Sequence, residues 1–110
     1  MLQKENRLTK KRDFEIVFKK GKGVKEGFLL LRFVGNGFDF TRFAFVVSQK
    51  VSKKATVRNK IRRIMSEGVR LKMSKIKKGF DCILVVCPGL SMEDLGNTMG
   101  SLLDKAKLSN

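Results

Sequence analysis

The segment Phe80–Cys87, Phe-Asp-Cys-Ile-Leu-Val-Val-Cys, constrains this chain more than any other. Apart from Asp81 it is continuously apolar, and Pro88-Gly89 closes it. A strand with one wet face alternates apolar and polar residues, so a strand without alternation must be covered on both faces. The segment therefore predicts a strand inside a sheet, and the other elements must supply its cover. A chain of 110 residues, 42% of them hydrophobic, can do so within one domain.

The remaining pattern supplies five more elements. Thr9 is placed to cap a helix through Lys20 in which Phe14, Val17 and Phe18 share a face at i, i+3, i+4, and Gly21 offers its stop. Gly27–Val34 and Phe40–Gln49 read as strands. Gly35-Asn36-Gly37 between them accepts positive φ, which predicts an antiparallel hairpin. From Thr56 to about Lys72 the residues Val57, Ile61, Ile64, Met65, Gly68 and Leu71 fall on one side at helical spacing. Ser91, followed by Glu93 and Asp94, opens a last helix whose apolar stripe is Met92, Leu95, Met99, Leu102, Leu103 and Ala106. The expected order is αββαβα in an α+β domain over residues 1–110, with residues 1–8 a loose basic N-terminal segment.

Charge then narrows the partner. The formal net charge is +15 with no His to modulate it. From Lys50 to Lys78 there are 12 Lys or Arg against one acid, Glu67. A second cluster, Lys4 to Lys25, holds 9 basic residues against Glu5, Asp13 and Glu15. The two regions are expected to meet in space, and their partner to be a polyanion.

What is missing narrows the chemistry. Without His, a Ser-His-Asp or Cys-His site cannot be built. Cys82 and Cys87 lie five apart in a strand-like run, so they point to opposite faces and can neither bridge nor share a metal. They read as small buried residues of a reducing, cytoplasmic protein. The opening residues are charged throughout with no apolar signal region, and no run of about 18 apolar residues exists, so the expected protein is neither exported nor integral to a membrane.

The helix from Thr56 carries the most information. At 100° per residue its apolar side chains cluster near Val57, whereas Asn59, Arg62, Arg63, Ser66 and Arg70 lie on the far side with Arg58 at the edge. Arg residues one turn apart, about 5.4 Å, can engage successive phosphates with their planar forks. A solvated basic face is the plain alternative. Against it, such a face normally mixes signs for i, i+4 pairing, and here one sign is concentrated. A structural RNA binder of ribosomal type fits this face equally well. A helix-turn-helix module fits less well because strands flank the helix, and a membrane-surface helix less still because its other face is needed for the core.

Within this helix the string Lys-Ala-Thr-Val-Arg-Asn-Lys-Ile-Arg-Arg-Ile-Met-Ser-Glu-Gly-Val-Arg resembles the signature of the bacterial ribonuclease P protein component, an Arg-Asn pair followed by a basic helical run with an acidic end. Arg58-Asn59 opens the match, Lys60, Arg62 and Arg63 continue it, and Glu67 closes it. The stretch Asn6–Gly21 resembles the family's opening helix, and Arg42–Asn59 its second strand and the approach to the motif. Ser66 stands where the family commonly has another Arg, and Leu31 where an aromatic is usual.

The resemblance implies the protein partner of a ribozyme that removes the 5′ leader from precursor tRNA. Hydrolysis and its Mg2+ would belong to the RNA subunit, with no catalytic residue and no metal on the protein. The expected partners are ribonuclease P RNA and precursor tRNA, and no membrane. Arg58, Asn59, Lys60, Arg62, Arg63, Ser66 and Arg70 are the implied RNA-subunit contacts. Phe14, Phe18, Leu31, Lys50, Lys53 and Lys54 are the implied leader cleft. The implied fold is a two-layer, ribosomal-protein-S5-domain-2-like sandwich with a left-handed βαβ crossover. By spacing alone, Phe14 and Phe18 are core residues more readily than base-stacking ones, and only the resemblance shifts that balance.

Overall fold

The computed structural model describes residues 2–109. Its elements in chain order are α1 (Lys11–Lys20), β1 (Lys22–Glu26), β2 (Leu29–Gly35), β3 (Arg42–Val47), α2 (Ala55–Lys72), β4 (Phe80–Val86) and α3 (Leu95–Lys105), with single 3-10 turns at Lys4–Asn6 and Met73–Lys75. The four strands form one mixed sheet in the order β1-β2-β4-β3. The fold is α+β, as expected, and β4 is an interior strand, antiparallel to β2 and parallel to β3.

The strand count and pairing differ from expectation. β1 pairs with β2 in an antiparallel hairpin whose turn uses Gly27 at φ +56°. β2 and β3 are not neighbours, because β4 lies between them. The turn at Asn36-Gly37 exists, with Gly37 at φ +76°. Its amide, however, belongs to the entry of β4: Asn36 N–H donates to the Gly79 carbonyl at 2.8 Å. A parallel β3–α2–β4 unit has replaced the expected hairpin, which pairs both edges of the most apolar strand and leaves its two faces to be covered by helices.

Those two faces are filled separately. Cys82, Leu84 and Val86 join Leu29, Leu31, Phe43, Ile61, Met65, Leu95 and Leu102 in the larger core beneath α2 and α3. Ile83, with Val85 beside it, joins Leu8, Val17 and Ala44 beneath α1, with Phe14 packed against them. α1 thus adds a third layer to the expected sandwich of sheet with helices.

Local starts and stops explain the shifted helix boundaries. Thr9 is not a cap: Leu8 N–H donates to the Phe43 carbonyl at 2.8 Å, which holds the chain extended until α1 begins at Lys11. Gly21 stops α1 as expected, its N–H donating to Val17 O at 2.8 Å. α3 begins at Leu95, and Asp94 N–H reaches the Ser91 side chain in the turn before it. In α2 the core stripe is Ile61, Met65 and Val69; Val57, Ile64 and Leu71 are exposed, Leu71 by 69%. Both cysteines are free, with Cys82 buried and Cys87 half-buried; burial pushes the Cys82 thiol far above its ordinary pKa.

Residues 1–8 were expected to be loose; residue 1 lies outside the described residues, and residues 2–8 are docked. Leu2 and Leu8 are buried. Asn6 Nδ2 donates to the Thr41 carbonyl and Arg7 Nε to that of Leu2, each at 2.9 Å. Two apolar anchors in a polar stretch are enough to hold it along the free edge of β3.

Candidate nucleic-acid interface

α2 runs beside β3, and the docked N-terminal segment runs along the edge of the same strand. Between them lies a cleft of about 310 Å³ lined by Phe14 from α1, Arg7 and Thr9 from the segment, Phe45 from β3, and Arg62, Arg63 and Ser66 from α2. The floor is apolar, with Leu2, Leu8, Phe43 and Ala44, and the α2 wall is cationic. Among the described residues neither Arg62 nor Arg63 has an ion-pair partner. Arg62 donates instead to the side-chain oxygen of Asn59, so the Arg-Asn motif orients one of its own guanidiniums.

The other motif residues have separate settings. Arg58 is half-buried and donates from Nη1 to the Ser52 carbonyl at 3.0 Å, tying the β3–α2 loop to the helix. Lys60 is exposed on the rim of a second cavity, about 420 Å³, that Lys50 also lines together with Val57 and Met92. Arg70 donates from Nε to Glu67 at 2.9 Å, both exposed. That hydrogen bond is the largest of the contacts that hold the Glu67 carboxyl down to about 2.

The expected leader cleft is therefore only partly assembled. Phe14 is in the cleft, facing Arg62, Arg63 and Ser66 rather than Lys50. Phe18 is 48% exposed and outside the cleft lining, since Val17 alone seals that part of α1 to the sheet. Leu31 is fully buried in the core under α2 and α3, on the sheet face opposite α1, and cannot meet a ligand beside Phe14. Lys53 and Lys54 are exposed just before α2, away from the cleft's lining.

Several cleft residues had no individual sequence signal. Arg7 sits in what reads as a loose tail, and Thr9 reads as a helix cap. Phe45 alternates with Ala44 on β3, and only its place on an edge strand opens it to the cleft. Arg42 was missed as well, although Asp81, the one charge in an apolar strand, called for a cation. Arg42 donates to both Asp81 oxygens, Nε–Oδ1 2.8 Å and Nη2–Oδ2 2.7 Å, and lies 3.4 Å from Asp13 on α1. These contacts, the Asp81 hydrogen bond first, raise the Arg42 pKa and fix the helix turn that carries Phe14.

Chemically, such a cleft can hold an anionic chain with apolar faces. Guanidiniums suit phosphate oxygens, and rings suit unpaired bases. Its lining includes no carboxylate, thiol or imidazole among the described residues, so its side chains offer no general base.

Comparison with known proteins finds relatives along nearly the whole chain. The family model Ribonuclease P matches residues 2–107. The ribonuclease P protein component of Alkaliphilus oremlandii is 36% identical over 108 residues, covering 96% of this chain and 94% of that one. That of Thermotoga maritima is 38% identical over 90 residues, covering 82% and 76%. Among solved structures, the Staphylococcus aureus RNase P protein superposes with a TM-score of 0.87 at 28% identity, covering 96% of this chain and 98% of that one. The Thermotoga maritima RNase P protein does so with 0.80 at 31%, covering 90% and 96%.

Proposed function

The chain belongs to the ribonuclease P protein family, and from that footing we propose that it is the noncatalytic subunit that binds the catalytic RNA through α2 and the precursor-tRNA 5′ leader in the Phe14 cleft. As in its family, it is an RNA-binding component of a tRNA-processing ribonucleoprotein. No helix among its described residues is long and apolar enough to cross a membrane.

The convergence of Phe14 with Arg62, Arg63 and Ser66 in one cleft is the observation that carries the reading. A single-stranded leader needs a face for an unpaired base and cations for the adjoining phosphates, and this cleft supplies both within one cavity. A structural RNA binder would need the cationic helix face alone. Arg62 and Arg63 also border the outward side of α2, where with Asn59, Lys60 and Arg70 they meet the RNA subunit, and Lys50, Lys53 and Lys54 extend the cationic surface beyond the helix start. Phosphodiester hydrolysis and its Mg2+ are assigned to the RNA subunit.

Phe14→Leu tests the leader assignment, because Leu keeps most of the apolar volume and the helix propensity. In the reconstituted complex it is expected to weaken precursor binding by about 1 to 3 kcal/mol, the worth of one base stack, with mature tRNA little affected. Equal losses for both RNAs, with a lowered melting temperature, would return Phe14 to the core.

A further inference from the structure

The loop between β2 and β3 carries a second aromatic feature. Phe38 and Phe40 lie parallel, centroids 5.1 Å apart and planes 3° from each other. The Arg42 guanidinium carbon is 5.2 Å from the Phe38 centroid. Phe38 is nevertheless 50% exposed. A single exposed ring is ordinary, but this one is held in place. Asn36 Oδ1 accepts the Phe38 N–H at 2.8 Å, while Asn36 Nδ2 donates to the Phe40 carbonyl at 3.1 Å and to Asp81 at 2.9 Å. The Asn36 side chain thus fixes the loop tip to itself and to the interior strand.

Beside this stack is a cavity of about 620 Å³ lined by Phe40, Arg42, Lys4, Arg7, Thr9 and Glu5. Arg42 is already engaged by Asp81 and Asp13, so Lys4 and Arg7 are the cations left for a phosphate, against Glu5 in the same lining and Asp39 between the two rings. Arg7 and Thr9 also line the Phe14 cleft, so the two cavities share a wall. A preformed ring stack with cations at its side loses little entropy on binding a base.

We propose that Phe38 and Phe40 form a second stacking site, for an unpaired nucleobase of single-stranded RNA whose phosphate meets Lys4 or Arg7. The proposal rests on the reading of the neighbouring cleft as an RNA site. Two sources could deliver such a base, the leader beyond the cleft or an unpaired nucleotide of the RNA subunit.

The chain has no Trp, so Phe38→Trp places a single reporter on the stack. The full-length variant is titrated with a single-stranded oligoadenylate, with ribonuclease P RNA, and with precursor tRNA in the reconstituted complex. Emission quenched by oligoadenylate is expected, and quenching by one of the two larger RNAs identifies the natural source. Phe38→Leu is expected to lower affinity for that RNA about 5-fold or more at unchanged melting temperature, while Phe38→Trp keeps it. Emission unchanged with all three RNAs overturns the proposal, as does a Phe38→Leu variant that binds all of them like the parent chain. Phe14→Leu run alongside separates the two claims. Selective precursor loss there with none at Phe38 rejects the second site alone, and no selective loss at Phe14 removes the cleft reading on which it rests.

Discussion

Arg42 on β3 grips Asp81 on β4 with two hydrogen bonds, of 2.8 and 2.7 Å, and so answers the one charge in the chain's most apolar strand. Asp81 is only 5% exposed. Removing the cation leaves a buried carboxylate with Asn36 as its remaining side-chain donor. Arg42→Leu is expected to cost about 3 kcal/mol, the lower end for a broken buried pair because Arg42 keeps some solvent contact. Adding Asp81→Asn should recover part of the loss by removing the orphaned charge. Urea unfolding of the two variants checks this, and a double variant no more stable than Arg42→Leu would contradict it.

Leu31 and Phe14 behave oppositely because they lie on opposite faces of the sheet. Leu31→Ala opens the larger core and should cost about 2 to 5 kcal/mol of stability. At temperatures where the variant stays folded, its affinities for precursor and mature tRNA should shift together or not at all. Selective precursor loss from Leu31→Ala would contradict its burial.

Arg62 and Arg70 both sit on the cationic side of α2 but differ in electrostatic company. Arg62→Ala should reduce the salt slope for the RNA subunit by about 0.7 to 1 unit, one phosphate contact. Arg70→Ala should do less, since Glu67 already neutralises Arg70, and Glu67→Gln should steepen the slope by releasing it. Because the Glu67 pKa is depressed from 4.5 to about 2, the pair is fully present above the ordinary carboxylate range and is lost as pH falls through about 2. The Glu67→Gln effect should therefore be constant between about pH 6 and 8. Equal slopes for Arg62→Ala and Arg70→Ala would contradict the distinction.

Gly21 has an ordinary φ of −77°, yet it is closed to any side chain. A Cβ there would meet the Val17 carbonyl oxygen at 2.3 Å and that of Phe33 at 2.9 Å, both main-chain atoms. Gly21→Ala is expected to destabilise by about 1 to 3 kcal/mol, as overpacking does. An unchanged or raised melting temperature would contradict so close an approach of α1 to β2.

Much of this was legible in the sequence because it depends on local pattern. The continuous apolar run at Phe80–Val86 announced an interior strand, and the spacing of Ile61 and Met65 announced the inner face of α2. The missed parts depend on distant pairing. Gly35-Asn36-Gly37 has hairpin chemistry, but nothing local says that a strand forty residues later will enter beside β2. β1, Lys-Gly-Val-Lys-Glu, has one apolar residue and becomes a strand only because β2 offers it an edge. Ile64 and Leu71 fit the helical stripe yet are exposed, because the sheet turned Val69's side of the helix inward. The same non-local choice put Leu31 in the core and opened Phe45 to the cleft.

The most direct test of the proposed function is precursor-tRNA cleavage by ribonuclease P RNA near physiological Mg2+, with and without this protein. Leader removal is expected to be slow with RNA alone and to rise when the protein is added, while the protein without the RNA subunit cleaves nothing. An unchanged rate on adding protein, or cleavage by purified protein free of RNA and of contaminating nuclease, would contradict a noncatalytic subunit that binds both the catalytic RNA and the leader.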